Sequence, residues 1–234
     1  MANLKNRIAE FLLGAQVIIE NSLTDPVVKE ALAAYGYSGE TLATGKTLFE
    51  EAMALQNTQK KEYGDQVAAT SELNDIWETA DQQYMKTLKI ARVAFQDHPK
   101  ADKAVVLFGR RKESLSGWLA QAQTFYANIL KDTDLMNALA LYGYTTEKLQ
   151  QESDLLSQIT VKNQQQKKEM GEAQASTQAR DEKIDELAKW ISNLRAVAKV
   201  ALADDPQQLE KLGILARTSP VSRGKKGEES GQVG

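Results

Sequence analysis

The sequence predicts an all-α protein, an elongated helical bundle built from two tandem repeats, and three observations carry that expectation. The first is composition. Ala, Leu, Gln, Glu and Lys dominate the 234 residues, aromatic residues make up 6% and there are four prolines, a mixture that favours helix over sheet. The second is periodicity. Apolar residues recur at helical spacing, as at Ile8, Phe11, Leu12, Ala15, Ile18 and Ile19, and no window alternates with period two. The third is self-similarity. Shifted by 107 positions, residues 3–109 align without a gap on residues 110–216, the mark of a tandem duplication.

The matches run the length of the unit. Tyr35-Gly36-Tyr37 meets Tyr142-Gly143-Tyr144, Gln59-Lys60-Lys61-Glu62 meets Gln166-Lys167-Lys168-Glu169, and Gly64 meets Gly171. Asp97 and Pro99 meet Asp204 and Pro206. The apolar stripe of the first helix meets Leu115, Trp118, Leu119, Ala122, Phe125 and Tyr126. The buried face is kept although the identities differ. The expected organisation is therefore repeat 1 over 3–109 and repeat 2 over 110–216, packed together as one bundle, with 217–234 a disordered tail of Gly, Ser and charged residues.

Each element has a local reason. A first helix over 4–22 (111–130) follows from the stripe. Asp25 (Asp132) opens a short second helix, and Pro26 suits its first position in repeat 1. The Tyr-Gly-Tyr phrase ends that helix. Gly36 (Gly143) fits a left-handed cap and Tyr37 (Tyr144) a contact back onto Leu32 (Leu139). Ser38 (Thr145) can cap the next helix, with Glu40 (Glu147) in its first turn. That helix starts near 39 (146), and helix resumes or continues to 97 (204), where a seam at 77, 80, 84, 87, 91 and 94 repeats at 184, 187, 191, 194, 198 and 201. Pro99 (Pro206) opens a last short helix, with Val105 and Phe108 (Leu212 and Leu215) as its apolar contacts.

Residues 56–74 and 163–181 are nearly free of large apolar side chains. Two outcomes fit them. A turn near Gly64 or Thr70-Ser71, and its counterpart in repeat 2, gives a hairpin with a polar tip. Without a turn there is one helix of about 58 residues, about 85 Å long. The hairpin is the expectation, because an isolated helix that is polar all round lacks a stabilising face. The turn chemistry is weak, with neither Pro nor Asn-Gly in either stretch.

Composition also limits function. With a net charge of −3, no general attraction to nucleic acid or anionic lipid is expected. Cysteine is absent, which removes disulfides, thiolate metal sites and cysteine nucleophiles together. No segment reaches the ~18 unbroken apolar residues of a membrane span. The N-terminal stretch is interrupted by Glu10 and Gln16 and reads as an amphipathic helix rather than a targeting segment. A cytoplasmic protein is expected. The one histidine, His98, is replaced by Asp205 in repeat 2 and reads as a loop residue. No nucleotide, nucleophile-elbow or zinc motif is present, so no catalytic residue, cofactor or metal is expected.

The leading functional expectation is a non-catalytic interaction or scaffold protein. It would bind a protein partner, or itself, through hairpin tips or a bundle face, with Lys60, Lys61, Lys167 and Lys168 as matched cationic points. The alternative is a carrier of a small apolar or aromatic ligand, held between helices by Trp77, Tyr84, Trp118, Phe125 and Tyr126. The carrier predicts a cavity near Trp77 and Tyr84. The scaffold predicts a filled core and a functional outer surface.

Overall fold

The computed structural model describes residues 2–215, with side chains from residue 7 onward. The tail expected over 217–234 lies outside the described residues. The elements are α1 (Ala2–Thr24), α2 (Pro26–Ala33), α3 (Gly39–Ala94), α4 (Ala101–Ala104), α5 (Leu115–Lys131), α6 (Thr133–Ala140), α7 (Thr146–Ala201) and α8 (Pro206–Lys211). Every regular element among the described residues is helical, and none of these helices is long and apolar enough to cross a membrane.

The corners form as their residues dictate. The Asp25 carboxylate accepts from the N–H groups of Val27 and Val28, and Asp132 does the same for Asp134 and Leu135. Hydrogen bonding to Lys211, then to the Val28 N–H, holds the Asp25 carboxyl below its ordinary pKa. At the end of α2, Tyr37 N–H donates to Leu32 C=O at 3.1 Å and Gly36 N–H to Ala33 C=O at 3.2 Å. At the end of α6, Tyr144 and Gly143 repeat the pattern onto Leu139 and Ala140. Both are Schellman caps, and their glycines take φ of +87° and +78°. Ser38 and Thr145 then cap α3 and α7 through the N–H groups of Thr41 and Lys148.

The hairpin is not what forms. Residues 56–74 lie within α3 and 163–181 within α7, each helix running unbroken for 56 residues. The expectation failed because it took each polar stretch alone. In the structure α3 and α7 run antiparallel against one another, and the face between them is lined by small and polar side chains. Gln59, Ala69 and Leu73 are buried on α3, and Ile159 and Ala173 on α7. Lys162 pairs with Glu72 at 2.6 Å, and Gln166 reaches Thr70. An Ala/Gln/Thr face is invisible to a search for large apolar residues, yet it gives the helix the support it lacks alone.

The chain forms two compact units. Unit 1 joins residues up to 56 with residues from 179 onward. Its core gathers Leu12, Ile18, Ile19, Leu32 and Leu42 with Leu187, Ile191, Leu194 and Leu212. Antiparallel pairing within it is marked by Glu51–Lys183 at 2.9 Å and by Trp190 lying over Gly45. Unit 2 spans residues 57–178. Its core gathers Tyr84, Leu88, Ala91 and Val105 with Trp118, Phe125, Tyr126, Leu139 and Ile159. Unit 1 thus combines α1, α2 and the first part of α3 with the last part of α7 and α8, and unit 2 the rest of α3 and α4 with α5, α6 and the first part of α7.

One apolar assignment shifts by a residue. Val105 and Leu212 are buried, but Phe108 and Leu215 are exposed, and Leu107 and Ile214 take the inner places. The cause is a left-handed residue, Val106 at φ +52° and Gly213 at φ +67°. Each lets the following N–H reach back, Leu107 to Asp102 C=O at 3.1 Å and Ile214 to Leu209 C=O at 3.0 Å.

Two tests follow from this packing. A Cβ at Gly45 would overlap the Trp190 indole, whereas Gly64 and Gly171 have nothing within 4 Å of an added Cβ. Gly64→Ala and Gly171→Ala should each stabilise the protein by about 0.5–1 kcal/mol in urea unfolding. Gly45→Ala should lose about 1 kcal/mol, because overpacking outweighs the same helix gain. Equal effects at all three positions would contradict the Trp190 placement. Secondly, Val106→Gly should raise stability by about 1 kcal/mol, since a β-branched residue in the left-handed region costs about 1–3 kcal/mol and glycine's added entropy less. A fall in the urea midpoint would show that Val106 is not held there.

Candidate functional site

Unit 2 concentrates the aromatic side chains. The seam of α3 supplies Trp77 and Tyr84, and the buried stripe of α5 supplies Trp118, Phe125 and Tyr126. Tyr84 lies at the centre. Its ring meets Trp118 at 6.1 Å between centroids, Phe125 at 5.2 Å and Tyr126 at 6.1 Å. Trp77 packs edge-on against Trp118 at 6.0 Å. Such tilted and T-shaped pairs suit the ring quadrupoles. All five aromatic residues named from sequence are therefore brought into one cluster.

They do not share one role. Tyr84, Phe125, Tyr126 and Trp118 are buried and fill the core, Trp118 reaching the surface only at its edge. Trp77 and Trp118 border a surface groove of about 750 Å³. The indole N–H of Trp118 donates to Asp81 Oδ1 at 2.6 Å, which fixes the ring's orientation. Met85 adds apolar wall, and Asn74 and Glu78 line the same groove from α3.

The opposite wall is the segment between α4 and α5, where Arg110, Arg111, Lys112 and Glu113 line the groove. Arg111 holds this segment in place. Its guanidinium donates to Tyr84 OH at 2.7 Å and to the carbonyls of Val106, Phe108 and Gly109 at 3.0, 2.8 and 3.3 Å. Burial raises the pKa of the Tyr84 hydroxyl against the opposing pull of Arg111. Arg92 assists by donating to Leu107 C=O at 2.9 Å. Arg110 and Lys112 are left at the rim, with Arg110 paired to Glu113 at 2.5 Å. The basic run is plain in the sequence, but it sits between helices with no periodicity to tie it to Trp77.

The lysines singled out from sequence lie in mid-helix, not at tips. Lys60, Lys61, Lys167 and Lys168 are all exposed. Lys61 pairs with Glu62 at 3.3 Å and Asp65 at 3.0 Å, and Lys168 with Glu172 at 3.4 Å. With Glu169 included, four cations face four carboxylates, so the patch carries no net charge. Carboxylate oxygens of Glu62, Asp65 and Glu169 come within 4.8 Å of one another. Lys61 already neutralises two of them, and the group is an ion-pair network on a solvated face. His98 sits in the turn between α3 and α4, its ring edge-on to Phe95 at 6.1 Å.

The clamp role of Arg111 makes a direct prediction. Arg111→Met keeps the apolar stem but removes four hydrogen bonds, and should cost about 2–3 kcal/mol. It should also speed hydrogen exchange selectively at Leu107, whose N–H bonds back to Asp102. Unchanged exchange there would mean that the segment is held by other contacts.

Comparison with protein-family models, with curated proteins and with solved structures found no match.

Proposed function

We propose that the chain is a non-catalytic binding protein, and that its ligand is a small aromatic anion lying in the groove over Trp77 and Trp118. The observation that carries this reading is the half-buried Trp77 indole facing Arg110 and Lys112 across a groove of about 750 Å³, a size usual for small-molecule sites. The Trp77 indole offers planar apolar contact, and Lys112, with Arg110 shared with Glu113, offers charge for an acidic group. The core beneath is filled, so the ligand is held at the surface rather than enclosed.

We further propose that the chain arose by tandem duplication, with binding acquired in one of the two compact units, each of which draws on both copies. Elements 107 residues apart have equal lengths: α2 and α6 of 8 residues, α3 and α7 of 56. A long-range hydrogen bond also recurs. Asn21 Nδ2 donates to Lys211 C=O in unit 1, and Asn128 Nδ2 to Ala104 C=O in unit 2. At the positions of Trp77, Tyr84, Trp118, Phe125 and Tyr126, unit 1 carries Ile184, Ile191, Phe11, Ile18 and Ile19. Unit 1 thus has a largely aliphatic core and unit 2 an aromatic one.

The protein-partner reading has one observation in its favour. Tyr63, Val67 and Met170 are exposed apolar residues of unit 2 beside the mid-helix lysines, a face on which a partner or a second copy could dock.

The groove is tested by titrating 8-anilinonaphthalene-1-sulfonate, an aromatic sulfonate, into the folded protein and reading tryptophan quenching. Trp77→Phe and Lys112→Ala should each weaken binding about tenfold, the effect of losing about 1.4 kcal/mol. Trp190, in unit 1, serves as the internal reference. Affinity unchanged in both variants would discard the groove as the site. Native mass spectrometry against the denatured mass then separates the two readings, by small-molecule mass or by multiples of the chain.

A further inference from the structure

Unit 2 holds a buried carboxylate that no cation of the protein neutralises. Glu152, on α7, is 6% exposed. Its Oε2 accepts from Thr87 Oγ1 at 2.6 Å and from Tyr126 OH at 3.0 Å. Burial, reinforced by this carboxylate, pushes the Tyr126 hydroxyl far above its ordinary pKa and keeps it a donor. Among the described residues Glu152 forms no ion pair, and its Oε1 takes no hydrogen bond from the protein. The Oε1 atom is thus left open to whatever occupies the adjoining pocket.

The space for one is present. Glu152 lines a pocket of about 430 Å³, separate from the tryptophan groove, with Gln83, Lys86, Tyr144, Lys148 and Gln151. Lys148 Nζ rests 3.6 Å above the Tyr144 ring rather than on the carboxylate. The floor is thus acidic, while two ammonium groups and two amides stand around it.

Unit 1 shows the same corner filled. Residue 45, which stands 107 places before Glu152, is glycine, and Trp190, 107 places after Gln83, lies directly on it. Tyr37, in the place of Tyr144, packs edge-on to that indole at 5.8 Å. Leu194 and Ile19, both buried, stand where unit 2 has Thr87 and Tyr126. One corner is an apolar plug. In the other, the tryptophan is replaced by glutamine, the glycine by glutamate, and the leucine and isoleucine by two hydroxyl donors aimed at that glutamate. Each change alone works against packing. Together they make an open polar site, and departures from good packing concentrate where a protein binds.

We propose that this pocket binds a free α-amino acid. The ligand ammonium meets Glu152 Oε1, and its carboxylate is taken by Lys86 and Lys148 with the amides of Gln83 and Gln151. Leu155 offers an apolar wall to the side chain. The site goes beyond the groove proposed above and shares no lining residue with it.

The test uses the intact protein and isothermal titration with the standard free amino acids, their N-acetyl derivatives and their methyl esters. At least one free amino acid should bind, with the N-acetyl form and the methyl ester each weaker by about tenfold or more. Glu152→Gln, which keeps an acceptor for Thr87 and Tyr126, should weaken binding by the same factor. No binding of any free amino acid at millimolar concentration overturns the proposal. So does equal binding of the N-acetyl forms, or full affinity in Glu152→Gln. Should that variant fail to fold by circular dichroism, Gln83→Trp fills the pocket from its rim as Trp190 does in unit 1. Binding retained in Gln83→Trp would then overturn the proposal.

Discussion

Neither long helix has a face of its own through its middle, so each exists there only because the other lies against it. Large apolar residues are scarce over 56–74 and 163–181, and helix propensity alone does not hold so long a polar stretch together. Ala69 and Ala173, with Gln59 and Leu73, are the side chains buried there. The ends are then free to differ. Each long helix carries apolar residues towards both ends, at 42–52 and 77–94 on α3 and at 149–159 and 184–201 on α7, and that is where short helices collect around it.

The two cores solve the same packing problem with different materials. Unit 1 uses Ile18, Ile19, Ile191 and Leu194, which leave no polar atom to satisfy. Unit 2 uses Tyr84, Phe125 and Tyr126, and the two tyrosine hydroxyls need partners. Arg111 meets one and Glu152 the other. Those two partners are charged groups that line the tryptophan groove and the Glu152 pocket. The aromatic core therefore does more than fill space: it brings ionic groups to the edge of a hydrophobic interior.

Much of the framework was legible in the sequence, and the reasons are local. Asp25 and Asp132 cap as their position suggests, the Tyr-Gly-Tyr corners close as Schellman motifs, and the seam at 77–94 is turned inward. These signals reside in a few neighbouring residues. The continuity of α3 and α7 was not legible, because it rests on small and polar residues meeting across a long sequence separation. The site was half legible. The five aromatic residues were named and do converge. Arg111 was missed since its role depends on a loop folding back over Tyr84. Glu152 was missed since a lone glutamate in a polar helix gives no sign of burial.

The division of the chain into units also bears on the order in which a ribosome can complete them. Unit 2 is one continuous stretch, 57–178, and all of its core residues have been made before α7 ends. Unit 1 is interrupted. Ile18, Ile19 and Leu32 emerge first, yet their partners Leu187, Ile191, Leu194 and Leu212 are among the last described residues to be made. The apolar surface of α1 and α2 is thus covered only after most of the described residues that follow it have been made. Closing so long a loop is slow compared with local helix formation. During synthesis the N-terminal helices are left as an unsatisfied amphipathic pair, open to chaperones or to the same segment of a neighbouring nascent chain.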